Sequence, residues 1–287
     1  MKKNSIATFF LLLAVIACTS SNASPTAEPS DVSTAVAATL QAVTENAPTP
    51  QPAGIPASFQ NISFMIPQGL ADGAVGEIIP AATEESGGPW GVAPEYISFT
   101  LTNYTGRNDE FFKATISIYP AAEYAAVNSW AASSLTRLQA VLASPAAQLT
   151  NESLPTIPFN GAAAQQYAAQ AKLLGFNGGN GVRMISQYAQ FPGPILKDNS
   201  LFHYEGLTAD GKYMVAVVFP IYLPLQTSAE NTSADGVQYP ADLSDTNGLT
   251  AYFQGITDLL NAASADSFQP ALDQLDSLIQ SITISAL

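Results

Sequence analysis

One stretch limits the fold more than any other. From Lys212 to Tyr222 the chain reads KYMVAVVFPIY, apolar at odd and even positions alike. Side chains on a strand point alternately to opposite faces, so a strand apolar on both is covered on both. It predicts a central strand of a sheet with a layer on either side.

The flanking sequence supplies its neighbours. Ile62, Phe64 and Ile66 alternate with Asn61, Ser63 and Met65, a half-buried strand ended by Pro67-Gln68-Gly69. Val75 to Ile79 reads as a second strand, and Ile97, Phe99 and Leu101 alternate with Ser98, Thr100 and Thr102 in a third. Phe112, Ala114, Ile116 and Ile118 form the inner face of another, with Lys113, Thr115 and Ser117 outside. Ala163 to Leu174 is expected to run as a strand into a turn at Asn177-Gly178-Gly179-Asn180-Gly181. Val182 to Gln190 and Leu201 to Leu207 read as antiparallel neighbours. The glycine-rich turn is not a phosphate loop, because a strand follows it rather than a helix N-terminus with a Lys.

Three helices are expected. One starts near Pro120 and carries Tyr124, Val127, Ala131, Leu135, Leu138 and Leu142 on a single stripe, with Trp130 packed beside it and Ser144-Pro145 as its stop. Leu249, Tyr252, Phe253, Ile256, Leu259 and Leu260 line a second helix, capped by Ser244 or Asp245. Phe268, Leu272, Leu275, Leu278, Ile279 and Ile282 line a third. Ser228 to Ser244 reads as a polar surface loop. The fold class is α+β: an antiparallel sheet with amphipathic helices packed on it, one domain over residues 58–287.

Two resemblances accompany this reading. The opening Ile62-Ser63-Phe64-Met65-Ile66-Pro67-Gln68-Gly69, the meandering strands and a last helix ending Leu278-Ile279-Gln280-Ser281-Ile282 are similar to PsbP-like domains. That likeness implies an α/β/α sandwich serving as a binding or assembly module, with segments near 144–180 and 222–246 as insertions. At the other end, Met1-Lys2-Lys3 precedes an apolar run from Ile6 to Ala17 that is too short to span a bilayer and reads as an export signal. Val15-Ile16-Ala17-Cys18, with the one cysteine of the chain, resembles the lipobox of bacterial lipoproteins. The resemblance implies a signal peptide over 1–17, diacylglycerol and palmitate on Cys18, and a cell membrane location on the extracytoplasmic face. Residues 18–57 then form the lipidated cysteine and a Ser/Thr/Ala/Pro-rich linker.

Charge removes several function classes. The 287 residues carry 9 Lys and Arg against 23 Asp and Glu, a net of -14. Loss of Lys2 and Lys3 with the signal leaves seven basic residues, and the net becomes -16. Such a chain lacks the cations that neutralise phosphates, so no nucleic-acid partner is expected. One cysteine and one histidine exclude Cys-rich metal sites and HExxH chemistry, and no metal or cofactor is expected.

Four candidate ligand-binding residues remain. Arg183 and His203 lie on adjacent strands, with Gln187 on the face of Arg183 and Glu205 on the face of His203. If those faces coincide, the four form one polar cluster beside Tyr188 and Tyr204. A His–Glu pair there could do acid–base work, whereas the plainer expectation is a solvated sheet face. Trp90, in an acidic glycine-bearing loop, could stack on a sugar or fold back onto the core. The expected function is that of a non-catalytic interaction module of the cell envelope, anchored at Cys18, with an envelope protein as partner. A small-molecule or glycan receptor is the alternative, and a hydrolase using His203 and Glu205 the second alternative.

Overall fold

The computed structural model describes residues 54–88, 91–145, 149–158, 163–227 and 233–285. Cys18 and Trp90 lie outside the described residues. The described chain is α+β. A seven-stranded antiparallel sheet contains β3 (Gly73–Ile79), β4 (Tyr96–Thr102), β5 (Thr115–Pro120), β6 (Ala164–Phe176), β7 (Gly179–Ala189), β8 (Ser200–Thr208) and β9 (Tyr213–Ile221). Their spatial order is β3-β4-β5-β9-β8-β7-β6, so the doubly apolar segment is the middle strand. Every residue from Met214 to Ile221 is buried.

The odd positions of β9, Val215, Val217 and Phe219, join Ile116, Ile118, Phe202 and Tyr204 in one core. Over it lie α3 (Thr246–Ala262), α4 (Leu272–Ser281) and a small sheet. That sheet orders β1 (Gly54–Phe59), β2 (Ile62–Pro67) and the terminal β12 (Thr283–Ile284) as β1-β2-β12. Leu275, Leu278 and Ile279 of α4 and Phe64 and Ile66 of β2 fill the space between the layers. β1 takes in Gly54 to Ala57, which composition assigns to the linker. Pro56 is tolerated because β1 is an edge strand, with one side free of ladder bonds.

On the even positions, Ala216 faces α1 (Ala121–Val127) and α2 (Ser129–Ala143), and Val218 packs with Leu201 and Ile157. The single helix expected after Pro120 is two helices. Asn128 leaves the helical region, and its Oδ1 accepts from the backbone N–H of Trp130 and Ala131 while Nδ2 donates to Val92 O at 2.9 Å. An Asn side chain that satisfies the orphan donors of a new first turn restarts the helix there. The restart rotates the buried stripe to Ala131, Ser134, Leu138 and Val141, so Leu135 is not buried and Val127 is exposed. Trp130 is 55 % exposed rather than packed. Ser117, expected on an outer face, is buried under this layer and lies 3.3 Å from Ser98 across the β4–β5 pair.

Within the segment read as a polar loop, Ser233–Ala234 (β10) and Val237–Gln238 (β11) pair as a short hairpin. Ala234 is buried there, and Val237 packs on the main core. β6 and β7 meet at the glycine-rich turn, where Gly178 takes φ +90°. Gly181 serves a different need, since an added Cβ would sit 2.5 Å from the Tyr204 hydroxyl lying across it. Among the described residues no helix is long and apolar enough to cross a membrane.

Candidate functional site

β7 and β8 pair as expected, and their register decides what the four polar residues can do. Arg183 stands opposite Tyr204 and Met184 opposite His203. Arg183 and Gln187 therefore face α4, and His203 and Glu205 face α2. The sheet separates the two halves of the expected cluster. Both halves are buried, so neither is a solvated sheet face.

On the α4 face, Arg183 Nε donates to Asp276 Oδ1 at 3.1 Å, and the guanidinium also donates to Gln170 O. Lys172 Nζ reaches the second Asp276 oxygen at 3.3 Å. One carboxylate thus joins β6, β7 and α4, the arrangement that a buried charge requires.

On the α2 face, His203 Nε2 lies 2.9 Å from Glu205 Oε1, and both side chains have zero exposure. Burial raises the Glu205 carboxyl well above its ordinary value and lowers the imidazole to about 3. A neutral acid beside a neutral imidazole follows, because a low-dielectric site disfavours the charged form of each. Glu205 then donates to Nε2, which leaves the ring proton on Nδ1, 3.4 Å from Tyr188 Oη. Tyr188 donates to Gln165 Oε1 at 2.6 Å and accepts from Ile157 N at 2.9 Å. Gln165 Nε2 donates onward to Asn151 Oδ1 at 3.0 Å. Every link from Glu205 to Asn151 donates in the same direction.

The chain ends at a strap, residues 149–158, that crosses from α2 towards β6. Ser134 Oγ donates to Thr156 O at 2.6 Å and Arg137 donates to Leu154 O, while Leu154 and Ile157 are buried beneath it. Thr150, Asn151 and Glu152 form one wall of a groove of about 990 Å³. The floor is the edge strand β6, and Arg183 reaches it from β7. The far wall is α3, with Thr250, Phe253, Gln254, Thr257, Asp258 and Asn261. Asp245 caps α3, accepting from Gly248 N at 2.9 Å, as expected of it.

α3 is far in sequence from the strap and β6, and the amides of the three carry no motif. Of the candidate residues that are described, Arg183 lines this groove. His203 and Glu205 sit behind its strap wall, three and four hydrogen bonds from Asn151. Among the described residues no three His, Cys, Asp or Glu side chains gather as metal ligands do.

Fold and groove together define an α+β protein with an amide-lined cleft along a sheet edge. No family model, no curated protein and no solved structure matches the chain, so the likeness to PsbP-like domains rests on its short segments alone.

Proposed function

We propose that this protein is a lipid-anchored lipoprotein of the extracytoplasmic face, held at Cys18, whose body is a non-catalytic binding module of the cell envelope. The groove along β6 carries the binding part of this reading. It is large and concave, lined by amides, hydroxyls and the aromatic residues Tyr167 and Phe253, with Glu152, Lys172, Arg183 and Asp258 as its charged groups. The hydrolase alternative gains nothing from the site, because a general base must reach its substrate and the His203–Glu205 pair has no exposed surface.

Val15-Ile16-Ala17-Cys18 supports the anchor. Two or more acyl chains there would hold the protein stably, at about 0.8 kcal/mol per buried CH₂. Radiolabelled palmitate given to cells expressing wild type and Cys18→Ser tests this. Label and membrane association lost in the variant are expected; an unlabelled, soluble wild type would overturn the anchor.

A further inference from the structure

We infer that the groove takes an uncharged, hydroxyl-rich chain, an oligosaccharide, lying along β6 between the strap and α3. The inference rests on the groove being the binding surface of the body.

The first argument is charge. Both cations of the groove, Lys172 and Arg183, are held by Asp276, while Glu152 and Asp258 stand exposed on its rims. In a chain of net charge -14, an anionic ligand meets repulsion and finds no uncommitted cation in the groove.

The second is main-chain hydrogen bonding. A peptide added to a sheet edge needs a regular row of free N–H and C=O groups. β6 breaks register at Gln165/Tyr167 and again at Ala169/Lys172, with Gln170 at φ +54°. The Gln170 N–H donates to Asn261 Oδ1 at 2.6 Å, and its side-chain amide donates to Leu260 O and Ala263 O at the end of α3. Bulges and a capped N–H are how a sheet edge refuses another strand.

The third is what remains free. Asn151 Nδ2 and Asn261 Nδ2 keep unspent donors, since each side chain is engaged through its oxygen. Gln254 is engaged through its nitrogen, to Asp258, and keeps its carbonyl. Donors and acceptors interleaved without net charge match hydroxyls, each of which both donates and accepts. Phe253, half-buried against Tyr252, offers an apolar surface for the C–H face of a sugar ring. Asn151 is already oriented by the chain running back to Glu205, so its ordering cost is met before the ligand arrives.

The test is isothermal titration of the full-length protein in detergent. The probes are linear hexasaccharides of β-1,4-glucose, α-1,4-glucose, β-1,4-mannose and β-1,4-N-acetylglucosamine, with tetragalacturonate, hexalysine and an uncharged Ser/Thr peptide beside them. Saturable binding of at least one neutral hexasaccharide is expected, with none for the other three. Asn151→Ala and the exposed Gln254→Ala should each weaken it roughly five- to tenfold, the worth of one hydrogen bond, with Phe253→Ala weakening it at least as much. Thermal unfolding checks that each variant folds, and Gln254→Ala keeps the test open if Phe253→Ala does not. A peptide that binds, weakened by Gln254→Ala, while every sugar fails would overturn the glycan inference and leave the groove reading standing. Sugar binding indifferent to all three substitutions, or no binding by any probe, would overturn both.

Discussion

On one face of the seven-stranded sheet, Ile116, Phe202, Val217 and Phe219 belong to a single apolar body with Leu275, Leu278 and Ile279 of α4. On the other, the same strands meet α1, α2 and the strap through three separate apolar patches, centred on Leu138 and Met184, on Tyr119 and Tyr124, and on Leu201 and Val218. Polar groups fill the space between the patches: His203, Glu205, Tyr188 and Ser186. Glu205 Oε2, Tyr124 Oη and Ser186 Oγ meet no protein partner there. Apart from the buried Arg183–Asp276 pair, the α4 face gains its stability from area removed from water, which is insensitive to pH. The α2 face depends on hydrogen bonds whose groups titrate, so solution conditions act on it selectively.

The largest effect should come from the apolar face. Phe219→Ala removes a ring with no exposed surface and leaves a cavity, and it should cost about 3–5 kcal/mol in urea unfolding at any pH between 5 and 8. A loss that varied strongly with pH would break the distinction between the faces.

The polar face should show the reverse pattern. Below its ordinary value near 4.5, Glu205 is protonated whether folded or not; its raised folded value makes the stability it contributes fall as pH climbs. His203 works in the opposite sense: its folded value near 3 lies below the ordinary 6.5, and its contribution falls as pH drops below 6.5. Between those ordinary values the folded and unfolded pair each hold one proton, and the pair's contribution is flat. Above pH 6.5 the unfolded pair holds no proton while the raised folded value favours one on Glu205, and stability falls as pH climbs. Relative to Glu205→Gln, which keeps a donor to His203 and does not titrate, wild type should lose stability as pH climbs above 6.5. Parallel unfolding curves would show that the folded pair holds no proton in that range, with Glu205 ionised beside a neutral imidazole.

Tyr188→Phe should cost about 1–3 kcal/mol, since it strands the Ile157 N–H and cuts the link from His203 to Gln165. Hydrogen exchange should then quicken over residues 150–157 more than over α4. At the small end, Trp130→Ala, exposed on the outer surface of α2, should stay within about 0.5 kcal/mol of wild type. A greater loss would mean that the ring covers something on that layer.

Much of this contrast was legible in the sequence, and the illegible part has a common cause. Alternation at Ile62–Ile66, Ile97–Leu101 and Ile116–Ile118 identifies strands because burial imposes it, and the unbroken apolar run of β9 identifies the middle strand. Which face of β7 matches which face of β8 depends on register, and a slip of one residue exchanges every side chain. The long loop between Ala189 and Ser200 leaves that register unspecified by turn chemistry. Arg183 and His203 could therefore be assigned to neighbouring strands but not to the same side. The break at Asn128 did carry a signal, an Asn-Ser pair at a helix restart, overridden by an apolar spacing that ran through it. The groove had none, because Asn151, Gln166 and Gln254 are unremarkable until the strap and β6 meet the distant α3.

The pairing of β12 with β2 bears on when the molecule can be finished. Thr283 lies opposite Ser63, and Ser285 N donates to Asn61 O at 2.9 Å, so the last described residues complete a sheet begun by the first. Leu278, Ile279 and Ile282 enter the same core at that moment. A chain still emerging from its synthesis has an open α4 face until residues 272–284 arrive. A product cut short before Leu272 would present the bare underside of Val217 and Phe219 to whatever surveys unfinished protein.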